Sequence, residues 1–150
     1  MISFLRYWLP LLVWMVVIFS ASADTQSNEH TSRFLVPFLR WLNPNISQSV
    51  IDAAQWVVRK SAHTTEFAIL AWLWWRALRK PVRCDPRPWS SRTAWLALAC
   101  VFLYASSDEL HQLFVANRSA SIKDVAIDTF GGCIGLGLLW LLYRKPRQRS

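Results

Sequence analysis

Several charged and amide side chains stand in stretches that are otherwise apolar. His63 and Glu66 are three residues apart, and Lys60, His63 and Phe67 share one face of a helix with Glu66 beside it. Asp108, His111 and Gln112 share a second face, with Glu109 adjacent, and Asp124 and Asp128 stand four apart. Arg118 and Lys123 lie in the short connection between these blocks, where they can reach the acids. Such residues can do acid–base work: His63 or His111 as general base or acid, Glu66 or Asp108 as orienting carboxylate, Lys60 and Arg118 as anion holders. The competing reading is structural, with the same groups as ion pairs and helix-end residues that hold a bundle together. The histidines and carboxylates are also suitable metal ligands, but no HExxH or comparable pattern is present. No metal and no cofactor is expected.

The elements that must carry these residues are apolar runs at 7–23, 62–78, 93–114 and 125–143. A helix needs about 20 residues to cross a bilayer core, and each run suffices or nearly so. The apolar core of the second run, Phe67 to Leu78, gives only about 18 Å of helix, so His63 and Glu66 must lie at membrane depth. The third run needs Asp108 and Glu109 in the same way. Counted from the opposite ends of their runs, His63, Asp108 and Asp128 each lie fifteen residues along, about 22 Å up each helix. Intramembrane charges are costly and face one another, so one outward-facing polar pocket is expected from Lys60, His63, Glu66, Asp108, Glu109, His111, Gln112, Arg118, Asp124 and Asp128. Gly131 and Gly135 form a small-xxx-small pair, most simply a sign of close helix packing; a homo-oligomer through the same pair is the other use.

The expected fold is all-α: a single domain over 1–150, an integral membrane bundle of four transmembrane helices. Two short interfacial helices are expected in the first loop, around Phe34 to Leu42 and Ile46 to Val57, with an ordinary packed loop as the competing reading of the same pattern. The first run also resembles a signal peptide, because Ala21-Ser22-Ala23 follows Arg6 and an apolar stretch; its retention as a helix is the preferred reading. The net charge of +8 comes from basic residues clustered between and after the runs. These fit topology signals and anionic lipid headgroups better than nucleic acid. The loop at 76–92 and the tail after Tyr143 carry most of them, which places both, and both chain ends, in the cytoplasm. Trp8, Trp72, Trp74, Trp75, Trp95 and Trp140 fall near the cytoplasmic ends of the runs, as an interfacial belt would. Cys84, Cys100 and Cys133 match no zinc or redox spacing and are expected as free thiols.

Two blocks resemble the VanZ-like family of bacterial membrane proteins. One is Arg59-Lys60-Ser61-Ala62-His63 with Glu66-Phe67-Ala68-Ile69-Leu70. The other is Ser107-Asp108-Glu109-Leu110-His111-Gln112 with Phe114, Arg118, Ser121 and Asp124-Val125, followed by the helix Asp128 to Gly135. With the four-run layout the resemblance covers nearly the whole chain. Thr64 and Asp128 depart from the aromatic and the Asn that the family commonly has. The resemblance implies a cell-envelope role at the bacterial inner membrane. The family's namesake is linked to resistance to the glycopeptide teicoplanin, which does not by itself extend to this chain.

Three functions compete. A binder would hold a membrane lipid or lipid-linked glycan in the outward pocket. A hydrolase or transferase would act on a phosphorylated or glycosylated lipid there. A proton-coupled transporter would use the acids and histidines as a relay, which four short helices favour less.

Overall fold

The computed structural model describes residues 2–23, 27–79, 89–114 and 121–143. Among these residues there are five α-helices and no strand: α1 (Ile2–Ala23), α2 (Ser27–Leu42), α3 (Gln48–Leu78), α4 (Ser91–Gln112) and α5 (Ile122–Tyr143). By length and composition, α1 over Leu5–Ser22 and α5 over Ile122–Tyr143 are long and apolar enough to cross a membrane.

α3 departs from the sequence expectation. The segment Ile46 to Val57 is not a separate interfacial helix; from Gln48 on it is the first third of one helix of 31 residues, about 46 Å long. The chain has neither Gly nor Pro between Pro44 and Pro81, so nothing stops the helix once it starts after the turn at Pro44. The charges at Arg59 and Lys60 mark a change of surroundings and do not break backbone hydrogen bonding. α2 covers the expected stretch Phe34 to Leu42 but begins seven residues earlier, at Ser27. It lies against the first half of α3, where Gln55 Nε2 donates to Ser32 Oγ at 2.9 Å, and it leaves Phe34, Phe38 and Trp41 exposed.

α3 is also the hub, in contact with each of the other four helices. Its tightest partner is α5. A Cβ on Gly131 would sit 2.4 Å from the Thr64 carbonyl oxygen, and one on Gly135 2.4 Å from that of Ala68. The two backbones therefore touch, which only glycine permits. The pairing order Lys60–Asp124, Thr64–Gly131, Ala68–Gly135 makes α3 and α5 parallel. Because the glycine pair is used on the chain's own α3, a second copy would have to dock on another face.

α1 closes the other side of α3 with Leu11, Ile18 and Ser22, all fully buried and spaced to share one face. Pro10 lies inside α1 and cannot donate to the carbonyl of Arg6. Arg76 of α3 supplies the missing bond, its Nη2 donating to Arg6 O at 3.1 Å. Trp14 Nε1 donates to the carbonyl of Glu66 at 3.0 Å and the Tyr104 hydroxyl to that of Met15 at 2.6 Å. The core runs along the axis as Phe67, Leu70, Ala71, Ala97, Val101 and Ala105. Small residues on α4 let the helices close around Phe67.

Candidate functional site

At the end of the bundle away from Arg6 and Arg76, the apolar core gives way to polar side chains. Asp108 lies at its centre, 1% exposed. Its Oδ2 accepts from Ser22 Oγ of α1 at 2.6 Å and from Gln112 Nε2, one turn on in α4, at 3.1 Å. Its Oδ1 is buried and makes no hydrogen bond among the described residues. Asp108 also bears electrostatically on Glu66, Tyr104, Glu109 and Asp128, so groups from α3, α4 and α5 feel its charge.

Around this centre the charges fall into pairs. Lys60 Nζ of α3 is bonded to Asp124 Oδ1 of α5. His63 Nδ1 lies 3.5 Å from Glu66 Oε2, an ion pair when the imidazole is protonated. Glu109 Oε2 accepts the backbone N–H of Ser121 at 2.8 Å, which ties the end of α4 to the start of α5. Asp128 is 4% exposed and lies in the field of Glu109, Asp108 and Asp124, with Lys60 as the opposing charge. Among the described residues no group of three or more His, Cys, Asp or Glu side chains is placed to hold a metal ion.

Lys60, His63, Glu66, Asp108, Glu109, Gln112, Asp124 and Asp128 thus gather where the middle of α3 meets the end of α4 and the start of α5. His111 does not point with Asp108 and Gln112; it stacks on Phe19 of α1, with ring centroids 4.2 Å apart. Arg118 lies outside the described residues, as does Cys84. Ser22 is the member that the sequence reading passed over. It stands fifteen residues from Tyr7, the same count that places His63, Asp108 and Asp128. Two clefts reach the layer from its flanks. One is lined by Trp56, Lys60, Ser61, Thr64 and Thr65 on α3. The other lies between α4 and α5 with Glu109, Ser121, Phe102 and Val125 in its walls.

The fold and this layer define a class: a helical bundle with apolar helices of membrane-crossing length and a buried acidic layer at one end. The particular family follows from the chain itself, which matches the VanZ/LLP1 family model over residues 7–143 and belongs to that family. No curated protein and no solved structure gives a significant match.

Proposed function

We propose that this protein is a four-span protein of the bacterial inner membrane that binds a lipid or lipid-linked envelope component at its polar layer. The observation that carries the reading is the convergence of buried polar side chains from α1, α4 and α5 and partly buried ones from α3 at one end of a bundle clad in apolar residues. Val13 and Val16 on α1, Trp95, Phe102 and Leu103 on α4, and Leu138 and Leu141 on α5 are all half or more exposed. An apolar belt of this extent needs a covering, and α4 carries it although the helix also contains charges. With the basic loop and tail in the cytoplasm, the polar layer lies in the outer leaflet, where lipid-linked envelope intermediates are met. Both chain ends are then cytoplasmic, and α1, locked by Trp14, Ser22 and the Arg76 bond, is retained as a helix.

The second reading, a hydrolase or transferase on a phosphorylated or glycosylated lipid, is favoured by the His63–Glu66 pair, the arrangement of a base oriented by a carboxylate. A link to teicoplanin resistance follows only from kinship with the family's namesake.

Mass spectrometry of lipids that co-purify with the protein tests the main reading. Wild type is expected to retain one lipid class enriched over the membrane average, and Asp108→Asn to lose it while remaining folded. An average lipid profile in wild type would overturn the binding role. Turnover of that lipid, abolished by His63→Ala with retention unchanged, would favour the enzyme.

A further inference from the structure

A groove at the opposite end of the bundle has no part in the reading above. It lies between α4 and α5 and is lined by Trp89, Ser91, Trp95, Cys133, Gly137 and Trp140. Its floor is open because α5 presents Cys133 and Gly137 there, one turn apart, and a Cβ on Gly137 would meet nothing within 4 Å. This is the reverse of Gly131 and Gly135, which are pressed onto α3.

The groove is built rather than incidental. Trp89 stacks on Trp75 with centroids 5.7 Å apart, and Trp75 in turn packs on Tyr143 at 5.6 Å. Trp75 is 6% exposed, so the wall that Trp89 forms is anchored in the core. Trp89 Nε1 donates to Ser91 Oγ at 3.1 Å, and Ser90 caps the start of α4. Preset walls of this kind lower the ordering cost of a ligand.

Among the described residues the charged side chains at this end are all basic. The guanidinium of Arg79 lies 5.0 Å over the Trp75 ring, and exposed Arg92 follows Ser91 in the first turn of α4. Tryptophan walls, a floor one side chain deep and a basic rim match an amphiphile with an apolar tail and an anionic head.

We infer that this groove is a binding site for an anionic phospholipid, with an acyl chain along Gly137 and the phosphate facing Arg79 and Arg92. It is independent of the polar layer and would stand if the function proposed for that layer failed.

The test uses the full chain in nanodiscs of phosphatidylcholine with and without phosphatidylglycerol. Native mass spectrometry is expected to find phosphatidylglycerol retained in preference to phosphatidylcholine. Gly137→Leu should lower that retention several-fold, and Arg92→Ala should reduce the preference about fivefold, as loss of one basic group near a membrane surface does. Asp108→Asn should leave it unchanged. In wild type, phosphatidylglycerol should also slow thiol labelling of Cys133, a readout that requires no variant. Equal retention of the two lipids, unaltered Cys133 labelling, or wild-type binding by Gly137→Leu would each overturn the inference. So would a shift of Gly137→Leu from dimer to monomer at constant lipid content, which would assign the groove to a second copy.

Discussion

Asp108 has two carboxylate oxygens in unequal circumstances. One is bonded to Ser22 and Gln112, and the other is buried with no hydrogen bond among the described residues. A buried oxygen left in this way costs about 1–3 kcal/mol, so Asp108 is held at some expense to stability, which is common at functional sites. The Lys60–Asp124 pair is different, since each side chain is about a quarter exposed. We expect Lys60→Ala to lower the melting temperature in detergent by more than Lys60→Ala combined with Asp124→Asn, because the single change strands Asp124 beside Glu109 and Asp128. A coupling of about 1 kcal/mol, between the values for surface and fully buried pairs, is the expected outcome of the cycle. Additive losses would show that the pair contributes nothing. At this scale the sequence was informative wherever a charge interrupted an apolar run, since the cost of burying it predicts company. Ser22 escaped because a hydroxyl costs far less to bury than a charge, and because Ala21-Ser22-Ala23 resembles a cleavage site. Three helical residues at i, i+3 and i+4 span a wide arc, wide enough for the His111 ring to turn to Phe19.

Among the helices, α3 and α5 make the contact that everything else is arranged around. Gly131 and Gly135 have no room for a methyl group against the Thr64 and Ala68 carbonyls, whereas Gly137 has open space. Gly135→Ala is therefore expected to destabilise the bundle by several kcal/mol, as overpacking against backbone does at its upper end. Gly137→Ala, on the same helix two residues on, should be neutral or stabilise by up to about 1 kcal/mol through helix propensity. Thermal unfolding followed by circular dichroism compares them, and equal effects would contradict the α3–α5 crossing described above. The small-xxx-small spacing was legible in the sequence, but its partner was not. Thr64 and Ala68 belong to a stretch where the eye is drawn to His63 and Glu66. The length of α3 was misread for a related reason: hydropathy marks where a helix changes surroundings, while only backbone chemistry marks where it ends.

For the whole molecule, orientation is the property on which the proposed function depends. Cysteine labelling in intact cells is expected to modify a cysteine placed at position 117 and to leave Cys84 untouched until the membrane is permeabilised. Labelling of Cys84 from outside would reverse the bundle and put the polar layer in the cytoplasmic leaflet. The all-helical character and the family were readable from the sequence, one from long apolar runs without strand alternation, the other from the two motif blocks. Packing of α1 into the bundle was not, because an apolar run near an amino terminus looks the same whether it is kept or removed. The carbonyl freed by Pro10 and taken up by Arg76 is a tertiary fact.

The parallel contact of α3 with α5 also bears on how the protein is made. Synthesis delivers Lys60, Thr64 and Ala68 well before Asp124, Gly131 and Gly135, so α3 waits on the ribosome's progress for the partner it packs against most closely. Through that interval Lys60 has no Asp124, and the groove that receives the glycines stands open. A ribosome stalled within α4 would leave Lys60, Thr64 and Ala68 without the α5 residues they pack against, an incompletely packed species of the kind prone to misassembly. Maturation therefore turns on α5, and the nascent protein becomes a durable one only when that helix slides in beside α3.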